Sequence, residues 1–171
     1  TRNSALDALS HALESIWNVN HNPVSDALAV AAAKGVIATL PALLDTPEAE
    51  GLRIAMSRSS LLAGLAFSNT RTALAHSVSY EMTLRYGLPH GLACSFTLPL
   101  VWQLAQGTDA ARDAVLASVI GGRAEDGPAV LAAFLRGVGV GTRFADYDVP
   151  GATARAMVAD ALDGARGRNF I

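Results

Sequence analysis

The stretch DALAVAAAKGVIATLPALL (residues 26–44) decides how the chain is read. Alanine and aliphatic residues fill almost every position around a helical projection, so this segment is expected to be a buried central helix. Asn22-Pro23 breaks the chain just before it, and Ser25 or Asp26 is the expected cap. Upstream, Leu6, Leu9, Leu13, Ile16 and Trp17 recur at helical spacing within residues 3–20. Downstream, Thr46-Pro47-Glu48 carries a capping hydroxyl, a first-turn proline and an acid, and predicts a helix reaching about Phe67. A further helix fits Ser68 to Arg85 and stops at Gly87-Leu88-Pro89. His90 then opens a helix to about Gln106, with a kink expected at Pro99. Helices also fit 108–120, 125–136 and 151–165, with GVGVG (137–141) between the last two. No useful β-alternation or internal repeat is present. The expected fold class is all-α.

Of the 171 residues, 51% are hydrophobic and 16% charged, with a net charge of -2. That hydrophobic share excludes a disordered chain. The cations are scattered and include a single lysine, Lys34, so no basic field for nucleic acid exists. One cysteine, Cys94, excludes an internal disulfide and a cysteine zinc cluster. The longest uninterrupted apolar runs, Ala27 to Ala33 and Leu61 to Phe67, are too short for a membrane span, and none is expected. No signal peptide opens the chain, so a cytoplasmic protein is the expectation. Thr1 stands where a start methionine would, which points to a piece of a longer protein.

The chemistry-bearing residues are histidines. Asp7 and His11 stand at i and i+4, where a helix projects both from one face and can bring both to one ion. Ser4, Glu14 and Asn18 share that face, so a solvated polar stripe fits equally well. His76 shares a projected face with Asn69, Thr72, Tyr80 and Thr83 on an otherwise apolar helix. A narrow stripe of this kind reads as the wall of a polar cleft or as a buried polar network. Tyr80 and Asn69 are its catalytic candidates. His90 sits at a helix start, with Gly91 leaving room for close approach. His21 lies in a turn and is expected at the surface. One carboxylate and three imidazoles suit Fe(II), Zn(II), Co(II) or Ni(II), and not Ca(II) or a thiolate-loving ion.

DALSHALES (7–15), NPVSDALA (22–29), AGLAFSN (63–69) and the His76-x13-His90 pair ending in LPHG resemble the C-terminal half of iron-containing (group III) alcohol dehydrogenases. VGVGTRFADYDV (138–149) and the tail RGRNFI are similar to the same family. The resemblance implies the helical domain of the dehydroquinate synthase-like fold, spanning 1–171, without the α/β domain that binds NAD(P). It implies that Asp7, His11, His76 and His90 are metal ligands, with Fe(II) as the metal and Zn(II) as the alternative. It also implies that the metal polarises a small aldehyde while NAD(P)H, held by the missing domain, delivers hydride. Homo-oligomers are expected, through apolar surface left by the missing half.

Two departures stand out. Tyr80 occupies a position where many members carry a second histidine, and a neutral phenol is a poorer proton shuttle than imidazole. The glycines of 137–141 match no dinucleotide fingerprint. HSVSY followed by LRYGLPHG is most similar to the subgroup that reduces phosphonoacetaldehyde. A phosphonate needs a cation. Arg71 and Arg85 project away from His76, and Arg166 and Arg168 read as a solvated basic tail. Two other readings remain: a non-enzymatic helical ligand-binding or interaction module, and a zinc-dependent polyol (glycerol-type) dehydrogenase that uses fewer histidine ligands.

Overall fold

A computed structural model describes residues 1–171. The chain folds into nine α-helices: α1 (Arg2–Ile16), α2 (Pro23–Asp45), α3 (Glu50–Thr70), α4 (Leu74–Tyr86), α5 (His90–Ser95), α6 (Leu98–Ala105), α7 (Ala110–Ile120), α8 (Gly127–Gly137) and α9 (Gly151–Asp163). Short 3-10 turns occupy Ala124–Asp126, Phe144–Tyr147 and Gly167–Asn169. The all-α expectation holds, and the one strand-like feature is a bridge between Asn18 and Phe170.

The centre of the molecule is α1, packed against α2, α3 and α5. Leu6, Leu9, Leu13, Ile16 and Trp17 are all fully buried. Each such side chain contributes roughly 1.5–3 kcal/mol of transfer free energy. This corrects the reading of α2 as the buried central helix. Eight of its 23 residues are buried, while Val24, Ala27, Ala31, Ala38 and Ala42 face outward. The reason is one-sided packing: α1, α3 and α7 cover a single face of α2. By length and composition α2 is long and apolar enough to cross a membrane, contrary to the sequence reading, which counted only uninterrupted runs. Its Ala29, Ala32, Val36, Leu40 and Leu43 nevertheless belong to the common hydrophobic core.

Several element ends differ from expectation for local reasons. The cap of α2 is Asn22, whose side chain accepts from the amides of Val24 and Ser25, and Ser25 Oγ closes the box by accepting from Asn22 N. Asp26 instead pairs with His21 at 3.1 Å, so that histidine is half-buried and engaged. Thr46 belongs to the end of α2, where its hydroxyl donates to Ala42 O, and α3 starts later, at Glu50. Between α5 and α6 the chain breaks at Phe96–Thr97, and Pro99 lies in the first turn of α6 rather than at a kink.

The most consequential break is at residues 71–73, inside the expected Ser68–Arg85 helix. Arg71 ends α3 with φ 73° and ψ 177°, a region that is essentially reserved for glycine. Asn69 therefore stands on α3 and Thr72 in the break, and neither shares a helix face with His76. The C-terminal tail returns across this point. Asn169 Nδ2 donates to Thr72 O, and Val19 N donates to Asn169 O.

Candidate metal centre

Four expected side chains converge where α1, α4 and α5 meet. Asp7 and His11 come from adjacent turns of α1, His76 from the first turn of α4, and His90 is the first residue of α5. Asp7 Oδ1 lies 3.6 Å from His11 Nε2, 3.3 Å from His76 Nε2 and 3.7 Å from His90 Nε2. One carboxylate oxygen thus faces three imidazole nitrogens. Donors held at 2.0–2.2 Å around a tetrahedral ion stand roughly 3.3–3.6 Å apart. Asp7 Oδ1 and His76 Nε2 are buried, and neither makes a hydrogen bond. A buried polar atom without a partner is costly, and a cation shared between these atoms would remove that cost. The donor set and its spacing therefore fit a divalent metal. His76 is almost fully enclosed, while the His90 side chain is 47% exposed, so the cluster opens to solvent on the His90 side.

Close approach of α5 to α1 brings His90 over Asp7. A Cβ at Gly91 would collide with the backbone carbonyl of Asn3, so this contact requires glycine. His11 is clamped differently. Its ring stacks on Phe67 at 4.1 Å and on His76 at 4.4 Å.

Glu14, one of the residues taken for a solvated stripe, is fully buried. Its carboxylate accepts from the backbone amides of Ala73 and His76, at 2.9 and 3.1 Å, and lies 2.6 Å from His76 Nδ1. α4 has no side-chain cap of its own, so Glu14 serves as that cap from another helix while orienting the ring. A carboxylate only accepts, so Nδ1 carries the proton and Nε2 is the atom turned toward Asp7. Asn18 is also fully buried, and its amide donates to Arg71 O. The solvated-stripe reading of this α1 face is overturned. Glu14 did carry a signal, since it stands two turns beyond Asp7, but its burial depends on the break at 71–73.

Charge follows from this packing. Burial opposes protonation of His76, but Asp7, Cys94 and Glu14 outweigh it and hold its pKa at about 12 without metal. Burial, reinforced by the His76 charge, pushes His11 down to about 4. Burial would raise Asp7, yet His76, His11 and His90 together keep its carboxyl below the usual range.

The sequence reading also missed Cys94. It lies one turn after His90, is buried, and its Sγ is 3.5 Å from His90 Nε2. Burial holds its thiol above the ordinary value. A sulfur donor thus stands beside the cluster, which the reading of Cys94 as a lone thiol did not place there.

Tyr80 and Asn69 occupy different settings. Tyr80 is partly exposed, with its ring 6.5 Å from that of His90. Arg166 from the tail lies over that ring, 4.7 Å from its centroid. Arg166 is itself exposed, as expected of the tail. Asn69 is exposed, and its amide donates to Leu65 O within α3. GVGVG ends α8: Val140 N and Gly139 N donate to Leu135 O and Arg136 O, a helix stop with no phosphate cradle.

The description "Fe-containing alcohol dehydrogenase family, C-terminal" matches residues 1–171. The chain belongs to this family. Among curated relatives, the long-chain-alcohol dehydrogenase 1 of Geobacillus thermodenitrificans is 29% identical, over 97% of this chain and 44% of its own length. The NAD-dependent methanol dehydrogenase of Bacillus methanolicus is 37% identical, over 57% of this chain and 26% of its own length. The crystal structure of sulfoacetaldehyde reductase from Bifidobacterium kashiwanohense, in complex with NAD+, superposes with a TM-score of 0.88 at 26% identity. That match covers 99% of this chain and 46% of the reductase. The chain therefore spans less than half the length of the relatives it matches.

Proposed function

We propose that this chain is the metal-binding, catalytic part of an NAD(P)-dependent alcohol dehydrogenase that interconverts a small aldehyde and its alcohol. The observation that carries this reading is Asp7 Oδ1 within 3.7 Å of three imidazole Nε2 atoms, buried and without a hydrogen bond. The ligand set of the proposal is Asp7, His11, His76 and His90, with Fe(II) as the ion and Zn(II) as the alternative. When bound, such an ion supplies Lewis-acid polarisation of a carbonyl oxygen.

The chain's own residues do the rest. Asp7 offsets part of the cationic charge, and Glu14 fixes the His76 ring so that Nε2 faces inward. His90 and Tyr80 border the open side, where substrate enters. The role assigned to Tyr80 is donation of a hydrogen bond from its hydroxyl to the oxygen that gains charge. Asn69, on a different helix, forms at most the outer wall. The nicotinamide is bound by an α/β part that lies outside these residues, which accords with the coverage of less than half of each relative. A cytoplasmic location is part of the proposal, because the reaction draws on NAD(P)H. The outward stripe Ile54, Leu61 and Leu65 of α3 supports self-association, which sizing chromatography measures.

Within the small aldehydes, the reading favours anionic ones such as phosphonoacetaldehyde. Arg166, seated on Tyr80, is the cation this requires. The test is NAD(P)H-dependent reduction by the complete enzyme loaded anaerobically with Fe(II), using acetaldehyde beside phosphonoacetaldehyde. Activity lost in Asp7→Ala supports the dehydrogenase reading. An Arg166→Ala variant with a raised KM for the phosphonate alone supports the anionic substrate. A metal-loaded enzyme inert to every small aldehyde would overturn the reading.

A further inference from the structure

Where α3 ends, three successive carbonyls need partners from outside the helix, and three asparagines supply them. Asn20 Nδ2 donates to Thr70 O at 3.4 Å, Asn18 Nδ2 to Arg71 O at 3.1 Å and Asn169 Nδ2 to Thr72 O at 2.8 Å. Asn18 and Asn20 stand just after α1. Asn169 comes from the C-terminal tail, 97 positions beyond Thr72.

The Asn169 contact differs from the other two in what lies on the far edge of the peptide it grips. The carbonyl of Thr72 and the amide of Ala73 belong to one planar peptide unit. Its oxygen accepts from Asn169, and its N–H donates to Glu14 Oε2 at 2.9 Å. The same Oε2 lies 2.6 Å from His76 Nδ1. An unbroken path therefore runs from the tail amide, through one peptide and one buried carboxylate, to the His76 ring. Donation to a peptide oxygen polarises the unit and strengthens its N–H as a donor. It also fixes the plane of a peptide that lies outside any helix, next to Arg71 with its φ of 73°.

The tail is built to hold Asn169 in place. The Asn169 carbonyl accepts from Val19 N at 2.9 Å, and Phe170 pairs with Asn18 as an antiparallel bridge. Gly167 is buried, and a Cβ there would collide with the carbonyls of Ala161 and Leu162. Glycine therefore lets the last 3-10 turn seat on the end of α9.

We propose that Asn169 is a positioning residue of the metal centre. By gripping the 72–73 peptide it sets the Glu14 carboxylate, and through that carboxylate the direction of His76 Nε2. The proposal rests on the metal-binding reading given above and leaves its ligand set unchanged. The C-terminal tail is thereby a working part of the site, although it supplies no ligand.

The experiment uses the full chain with Zn(II), read by NMR of side-chain N–H groups and by chelator competition. In the wild type the His76 Nδ1–H signal is expected far downfield, because that proton lies in a 2.6 Å contact with a buried carboxylate. Zinc is expected to shift it together with the Asn169 side-chain amide. Asn169→Leu is close to asparagine in size but has no donor. It should move the His76 signal upfield and lower zinc affinity by about 10-fold, the low end for the outer partner of a metal-bound histidine. Val119→Ala, on the buried face of α7, is the comparison for general weakening of the fold and should keep both the signal and the affinity. Wild-type affinity and signal in Asn169→Leu would overturn the positioning role alone. So would an Asn169 amide that zinc leaves unmoved, a wild-type measurement that stands even if the variant fails to fold. Folded wild type that takes up no zinc would overturn both this inference and the metal-binding reading.

Discussion

Glu14 Oε2 lies 2.6 Å from Nδ1 of His76, a contact between two buried residues on different helices. The same carboxylate takes the amides of Ala73 and His76, so one side chain ends the break after α3, starts α4 and aims the imidazole. Glu14→Gln keeps the size but places an amide donor opposite Nδ1–H or the two backbone N–H groups. We expect metal affinity to fall about 10–100-fold, as when the outer partner of a metal-bound histidine is lost. Chelator competition measures it, and an unchanged affinity would contradict the positioning role.

The seat of α5 on α1 gives a paired prediction. Gly91→Ala puts a methyl group into the Asn3 carbonyl, at a cost of about 1–3 kcal/mol, and moves His90 off the cluster. Gly64→Ala in α3 meets nothing within 4 Å and should gain about 0.5–1 kcal/mol. Denaturant unfolding with metal titration reads both. Only Gly91→Ala is expected to lower stability and metal uptake together.

Strain at Arg71 is directly measurable. Its backbone conformation costs about 1–3 kcal/mol, and glycine returns about 1 kcal/mol of that as unfolded-chain entropy. Arg71→Gly is therefore expected to stabilise by about 1 kcal/mol, a rise in Tm of about 2–4 °C. A lowered Tm would show that the Arg71 side chain holds the break.

Asp109 caps α7 by accepting from Ala111 N, which holds its carboxyl below the ordinary value of 3.8. A depressed folded-state value means that the stabilisation is present above the unfolded value and is lost as pH falls through the folded one. Asp109→Ala should lower Tm at neutral pH, with the difference shrinking in acid. Thermal melts across that range check the sign.

How much of this was legible in the sequence differs by element. The leucine stripe of α1 and the stop at Gly87-Leu88-Pro89 were plain, because periodicity and proline act locally. The Asp7-x3-His11 and His76-x13-His90 spacings located the cluster. The break at 71–73 was hidden, because it puts an arginine in a backbone region no propensity favours. That break decides the environments of Glu14 and Asn69. Glu14 was therefore read as solvated, and Asn69 was placed on the His76 face. α2 was assigned to the centre on apolar content alone, whereas neighbours decide burial, and they cover one face of it. Cys94 carried the same i, i+4 signal as Asp7 and His11 but was read only as a lone thiol.

The central claim is that Asp7, His11, His76 and His90 gather one divalent ion between α1, α4 and α5. The most direct measurement is elemental analysis of anaerobically purified wild-type protein beside His76→Ala, with both checked for helical content. The account predicts close to one Fe or Zn per chain in the wild type and none in the variant. A folded wild type that carries and takes up no divalent metal, or a His76→Ala variant that keeps its full complement, would contradict it.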